Sequence, residues 1–312
     1  MRETESMLPS RMRVLVTGGT GFVGTEITRR LIATGVEVRC LSRRPQTAVA
    51  GSIPVSASLF DSGALERAVR GCNAVLHLVG IISEVRDQTF ERVHVEGTRR
   101  VLAAARATGV TRIVHMSAMG ARENAVARYH QTKWAAEELV RHSGLDWTLL
   151  RPSLIYGPGD GVVSLFEKLS RFSPVVPVIG SGRSLLQPVA VEDVARLFVE
   201  SLNRASVFRQ TLEVGGPDRI SFNQLVDGIL VRLHRRRWVW HLPVPLARFQ
   251  ALLMEAIYPT LLGKAPPLNR DQIQMLAEDN VADASATWEE FGFQPVGWES
   301  GLDRLLGPAR PL

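Results

Sequence analysis

Thr17-Gly18-Gly19-Thr20-Gly21-Phe22-Val23-Gly24 is the stretch on which the rest of the chain hangs. Its glycines repeat as G-x-x-G-x-x-G, behind an apolar run at 13–17 and ahead of a helical pattern. Gly18 permits a tight turn, Gly21 lets backbone approach a pyrophosphate on the helix N-terminus, and Gly24 lets that helix pack on the sheet. A glycine triplet alone is a weak signal, but this position between strand and helix is what a dinucleotide-binding turn requires. The candidate cofactor contacts here are Gly18, Thr20, Gly21, Phe22, Val23 and Gly24. The alternative is a glycine turn without a ligand.

Outward from this turn, short apolar runs at 13–17, 36–41, 53–57, 74–79, 112–117 and 147–150 alternate with helical stretches. The runs are nearly continuous, as strands covered on both faces should be. Gly35, Gly71, Gly109 and Gly144 stand where helices should be capped. The alternation predicts an α/β fold, a Rossmann-type doubly wound parallel sheet. Residues 1–11 read as a flexible tail, 12–151 as the NAD(P)-binding domain, and 152–312 as a smaller α/β lobe interleaved with the sheet edge. In that lobe the best helix begins at Ser221, with Gln224 completing a capping box and an apolar stripe through Leu225, Val226, Ile229 and Leu230.

Composition narrows the class. The chain has 312 residues, 45% apolar and 22% charged, with a net charge of +6, which excludes a disordered polymer. Two cysteines, Cys40 and Cys72, argue against a disulfide framework. No apolar run is long enough to span a membrane, and the N-terminus has no apolar core of a secretory signal. A cytoplasmic protein is expected, peripheral at the inner face of the membrane if it meets lipid at all. No cluster has metal-ligand spacing, and scattered arginines without a recognised motif argue against nucleic acid.

The second strand bears on the cofactor. A preference for NAD usually places an acid after this strand, whereas here Ser42 is followed by Arg43 and Arg44. Cations stand where a 2′-phosphate would sit. NADP(H) is therefore preferred, with NAD(H) as the alternative and two solvated surface arginines as the bland reading.

Tyr129 and Lys133 lie four apart on a helical pattern and share a face. An ammonium beside a phenol lowers the phenol's pKa and suits it to proton transfer. Ser117, at the end of the fifth apolar run, could orient a substrate oxygen beside it. The chain holds only three tyrosines, and only three of its 37 basic residues are lysines, so a chance Tyr-x-x-x-Lys is rare. The alternative is an exposed helical pair.

These motifs, with Leu76-His77-Leu78-Val79-Gly80, Glu96-Gly97-Thr98, Arg151-Pro152, Tyr156-Gly157-Pro158 and the segments at 187–195 and 213–217, resemble an extended or atypical short-chain dehydrogenase/reductase. Within that superfamily the chain is most similar to the nucleotide-binding accessory subunit of respiratory complex I and its bacterial relatives. The resemblance implies a catalytic Ser117–Tyr129–Lys133 set and further cofactor contacts from Ser58, Leu59, Leu78, Val79, Gly80, His94, Lys133 and Pro152. Three positions depart from the pattern: His94 replaces a helix asparagine, Ser58 an acid near the adenine, and Leu186 an arginine that grips substrate diphosphate. With Ser58 in the acid's place, Asp61 reads as the next helix's N-cap.

The expected function is hydride and proton transfer at a carbonyl or carbinol carbon by an oxidoreductase or epimerase. The alternative is a non-catalytic NADPH-binding subunit or assembly factor of a membrane quinone system, complex I-like or linked to ubiquinone biosynthesis. Expected partners are a small carbonyl or hydroxyl substrate or a quinone-related partner. The basic and aromatic cluster at 234–240 reads first as an exposed helix end running into a strand whose tryptophans enter the core. Peripheral membrane contact through 234–262 is its alternative.

Overall fold

A computed structural model of the chain describes residues 12–309, so the expected tail at 1–11 lies outside the described residues. The strands are β1 (Arg13–Thr17), β2 (Glu37–Ser42), β3 (Ile53–Ser56), β4 (Ala74–His77), β5 (Arg112–Met116), β6 (Asp146–Pro152), β7 (Ile155–Tyr156), β8 (Val175–Ile179), β9 (Leu185–Leu186), β10 (Val189–Ala190), β11 (Gln210–Val214), β12 (Ile220–Ser221) and β13 (Trp238–Leu242). Seven form one sheet in the order β11-β6-β5-β4-β1-β2-β3, all parallel. Its order reverses between β1 and β4, which opens a crevice at the strands' carboxyl ends.

Both faces of the sheet are covered, which explains the unbroken apolar runs. Helices α1 (Phe22–Ala33), α2 (Ser62–Val69), α3 (Gly97–Ala107) and α4 (Arg128–Arg141) follow in order. Val14 and Val16 point into a core with Ile27 and Leu31 of α1, while Leu15 points into the opposite core with Leu65 of α2 and Val101 of α3. The expected cap glycines all adopt positive φ: Gly35 at 81°, and Gly71, Gly109 and Gly144 at 75°. Asp61 caps α2, its carboxylate accepting from Ala64 N–H at 2.9 Å.

Later segments return to this layer. Helix α5 (Gly161–Phe172) belongs to the outer lobe, but α6 (Val191–Ser201) lays Val194, Ala195 and Phe198 against α1, and β11 extends the sheet beside β6. Helix α7 (Phe222–Arg232) carries the expected capping box at Ser221 and Gln224 and buries Leu225, Val226, Ile229 and Leu230. These pack with Trp298 and Leu302 in the outer lobe's core. Helices α8 (Val244–Ile257), α9 (Arg270–Ala277), α10 (Ser285–Phe291) and α11 (Trp298–Leu306) complete the chain.

One expectation fails. The tryptophans of β13 do not enter the core: Trp238 is 82% and Trp240 53% exposed. Strand β13 pairs only with β8, and the side chain it buries deepest is Leu242. The basic cluster before it is partly structural. Arg235 donates to the Glu167 carbonyl at 2.6 Å and Arg237 to the Ser170 carbonyl at 2.7 Å, so both satisfy carbonyls in the last turns of α5.

Candidate functional site

The glycine turn forms one wall of a groove of about 600 Å³ at the carboxyl edge of the sheet. Gly18 has φ 78°, which favours glycine, and accepts a turn bond from Gly21 N–H at 3.0 Å. A Cβ on Gly24 would lie 2.1 Å from the Gly18 carbonyl oxygen, so the helix start leaves no room for a side chain there. No side chain caps the N-terminus of α1, so its open N–H groups suit an anion. Gly18, Thr20, Gly21, Ser42, Arg43, Arg44, Ser58, Leu59, Leu78, Val79 and Gly80 all line the groove. Phe22 instead lines a cavity on the other side of the turn with Pro158 and Val191, and Val23 is buried in the core beside α6. Pro152, at the end of β6, is buried and uses its carbonyl to accept from Met119 N–H at 2.9 Å.

Arg43 and Arg44 are exposed at the groove, and neither guanidinium makes an ion pair or hydrogen bond among the described residues. The Ser42 hydroxyl is already engaged by its own turn, accepting from Arg44 N–H at 3.0 Å. Ser58 accepts from Phe60 N–H at 3.2 Å in the same way. The glycine turn and the open helix start fit a dinucleotide, and Arg43 and Arg44 stand on the same groove at the end of β2.

Lys133 is 2% exposed. Its Nζ donates to the Met116 carbonyl at 3.0 Å, and a Cβ on Gly80 would come 3.0 Å from it, so the ammonium lies under the groove's floor. Burial lowers its pKa to about 8, partly opposed by Glu137 one turn further along α4. Glu137 is itself fully buried and clamped by Arg151, with Oε1 and Oε2 at 2.7 and 2.6 Å, and by Arg141 at 2.7 Å. Burial alone would lower the Arg151 pKa, but its bonds to Glu137 and Glu213 raise it. The i,i+4 spacing of Lys133 and Glu137 was a readable signal that the sequence reading passed over.

Tyr129 is half-buried, its ring set edge-on against His94 and His130 at 5.5 and 5.3 Å between centroids. Burial raises its pKa to about 12. The expected lowering by Lys133 does not enter, because the ammonium is turned to Met116. The Ser117 hydroxyl is buried and has no hydrogen-bond partner, while its N–H donates to the Leu150 carbonyl at 2.8 Å.

His94 sits on a wide π-type turn (Glu91–Glu96), a feature common at functional sites. Its Nδ1 lies 2.9 Å from the Thr132 hydroxyl, which spends its own hydrogen on the Arg128 or Tyr129 carbonyl. Its Nε2 lies 3.1 Å from both the N–H and the carbonyl of Ile81, in the loop after β4. Burial, then the charge of Lys133, lowers its pKa to about 2, so the ring is neutral. The substitution at position 94 thus ties the loop after β4 to the helix of Tyr129. His77 is likewise neutral, lowered to about 3 by burial and Lys133, and bridges Thr17 and Thr98 at 2.7 and 3.0 Å. Ile81, Gln88 and Phe60 also line the groove; no motif marks them, since loop packing alone brings them there. Leu186 is a buried core residue. Arg183 is exposed beside a smaller cavity under α9, outside the groove.

Comparisons with known proteins agree with this architecture. A ceramide reductase of Caulobacter vibrioides is 36% identical over 191 residues, spanning 60% of this chain and 59% of that protein. The mitochondrial NADH dehydrogenase [ubiquinone] 1 alpha subcomplex subunit 9 of Arabidopsis thaliana is 27% identical over 90% of this chain and 73% of its own length. The crystal structure of UDP-glucose 4-epimerase from Thermus thermophilus, in complex with NAD, superposes with a TM-score of 0.72 at 23% identity, covering 95% of this chain and 98% of that one. The family model for the NAD dependent epimerase/dehydratase family matches residues 14–215, more than half of the sequence, and the chain belongs to that family.

Proposed function

We propose that the protein is an NADP(H)-dependent reductase acting on a carbonyl or carbinol carbon of a small molecule, with Ser117, Tyr129 and Lys133 as its catalytic set. The observation that carries this reading is the buried ammonium of Lys133, held at the floor of the groove by a lone backbone carbonyl. An ammonium stripped of water and given no direct carboxylate contact weakens the fold, so its retention points to function.

On this reading Gly18, Thr20, Gly21, the start of α1, Leu78, Val79 and Gly80 hold the dinucleotide, and Arg43 and Arg44 bind the 2′-phosphate. The bound nicotinamide supplies or accepts the hydride. Tyr129, a phenol protonated at neutral pH, donates its proton to the oxygen that gains charge during reduction. Ser117 holds that oxygen through its unpartnered hydroxyl. Lys133 lies beside Gly80, where its ammonium can hydrogen-bond the nicotinamide ribose. His94 and Thr132 keep α4 and the 81–88 loop in register.

The test is NADPH consumption by the purified protein against aldehydes, ketones and quinones, with Tyr129→Phe as control. Consumption lost in the variant while NADPH affinity is retained supports the proposal. Full activity in Tyr129→Phe refutes the proton-transfer role. A second reading is favoured by the match to the complex I subunit over 90% of the chain and by the Lys133 ammonium's turning to Met116 rather than to Tyr129. It makes the protein an NADPH-binding subunit or assembly factor of a quinone system, and tight NADPH binding with silence across the panel would select it.

A further inference from the structure

Helix α8 is amphipathic in the wrong direction for a soluble surface. It buries only Ala247 and Ala251. Leu246, Phe249, Leu253 and Ile257 recur at helical spacing on the opposite side, and they are 49%, 59%, 46% and 46% exposed. The turn after α8 adds Leu261 and Leu262, at 76% and 56%, and the strand before it adds Trp238 and Trp240. Phe172, 82% exposed, joins them, since Trp238 N–H bonds to the Pro174 carbonyl two residues on. So large an apolar surface on a described monomer calls for a partner.

The charges say which partner. Between 234 and 264 the basic side chains are Arg235, Arg236, Arg237, Arg248 and Lys264, against one acid, Glu255. That acid is already paired with Arg270 at 2.8 Å. Arg236 and Arg248 are exposed and make no side-chain bond among the described residues. Exposed tryptophans, an outward leucine stripe and unpaired arginines without free acids complement a surface that is apolar within and anionic at its rim. We propose that α8, with Trp238, Trp240 and the turn at 258–262, is a docking surface for an anionic lipid bilayer, on which the protein lies without crossing. Among the described residues no helix is long and apolar enough to cross.

This surface is wired to the groove. Helix α9 packs on α8 through Ile273. From α9's start, Asn269 donates to the Ile82 carbonyl at 2.9 Å, and Asp271 accepts from Arg128 N–H at 2.6 Å. Arg86 lies against Gly263, where a Cβ would meet its Nη2 at 2.7 Å. The docked face therefore adjoins the 81–88 loop, whose Ile81 and Gln88 line the groove, and the first turn of the helix that carries Tyr129. A substrate dissolved in the bilayer would reach the groove from this side.

The test is vesicle flotation of the full chain, using phosphatidylcholine alone and phosphatidylcholine with a third phosphatidylglycerol. The expected result is salt-sensitive capture by the anionic vesicles, and weaker capture by the neutral ones. Arg236→Glu with Arg248→Glu should weaken it more than about ten-fold. Leu253→Asp with Leu261→Asp should abolish it at unchanged melting temperature, since both side chains are exposed. Three results would overturn the proposal: no capture by either vesicle, capture indifferent to lipid charge, or a dimer in sedimentation equilibrium that the leucine substitutions split, which would assign the face to a second copy. Because the readout is capture rather than turnover, such a failure leaves the reductase reading untouched.

Discussion

Replacing Lys133 by methionine should make the protein more stable and inactive at once. The side chain is 2% exposed and titrates near 8 in the folded protein, against an ordinary value of 10.5. Between those values the unfolded chain binds a proton that the folded chain does not, so stability rises as pH climbs from 8 to 10.5. Below 8 the full penalty of the buried ammonium is felt, about 3 kcal/mol for the gap between the two values. Methionine fills similar volume without the charge, but it forfeits the bond from Nζ to the Met116 carbonyl, about 1 kcal/mol. The net expectation is a variant about 2 kcal/mol more stable at pH 7, with the advantage gone above pH 10.5. Urea unfolding of the cofactor-free protein, followed by circular dichroism at several pH values, measures this directly. A variant no more stable than the parent at pH 7, or an advantage that does not shrink with pH, would refute the reasoning. Stability gained with turnover lost is the signature of a charge retained for function.

Three further outcomes follow from the geometry. Arg43→Ala with Arg44→Ala should weaken NADPH binding about ten- to a hundred-fold in titration calorimetry and leave NADH nearly unchanged; equal losses would show that these arginines do not read the 2′-phosphate. Tyr129→Phe should abolish turnover while retaining NADPH, since its hydroxyl makes no bond that the fold depends on. Helix α4 begins at Ala127 without a side-chain cap of its own, and Asp271 of α9 takes that role. Asp271→Ala should therefore lose about 1 kcal/mol of stability and raise hydrogen exchange in the first turn of α4; unchanged exchange there would show that the cap is idle.

Much of this molecule is local, and local features are legible. The glycine turn, the unbroken strands, the cap glycines and the capping box at Ser221 each rest on backbone conformation or on burial of both strand faces, which leave marks at fixed spacing. Asp61 was readable as a cap for the same reason. The Tyr129–Lys133 pair was legible because helical spacing puts both on one face. The role of Lys133 was not, since whether an ammonium lowers a phenol's pKa depends on where it points, and here the Met116 carbonyl draws it aside.

What residues alone determined was the sheet, its crevice, and the wall of glycines and arginines that a dinucleotide would meet. Tertiary structure decided the remainder: that β11 and α6 return to the sheet, that His94 staples a loop to α4, and that Arg151 links the buried Glu137 to the partly exposed Glu213. It also decided that Trp238 and Trp240 face outward, against the reading of an apolar strand as core. Hydrophobic periodicity states that a face must be covered, but not by what. Only the packed chain shows that nothing within the described residues covers the outer face of α8.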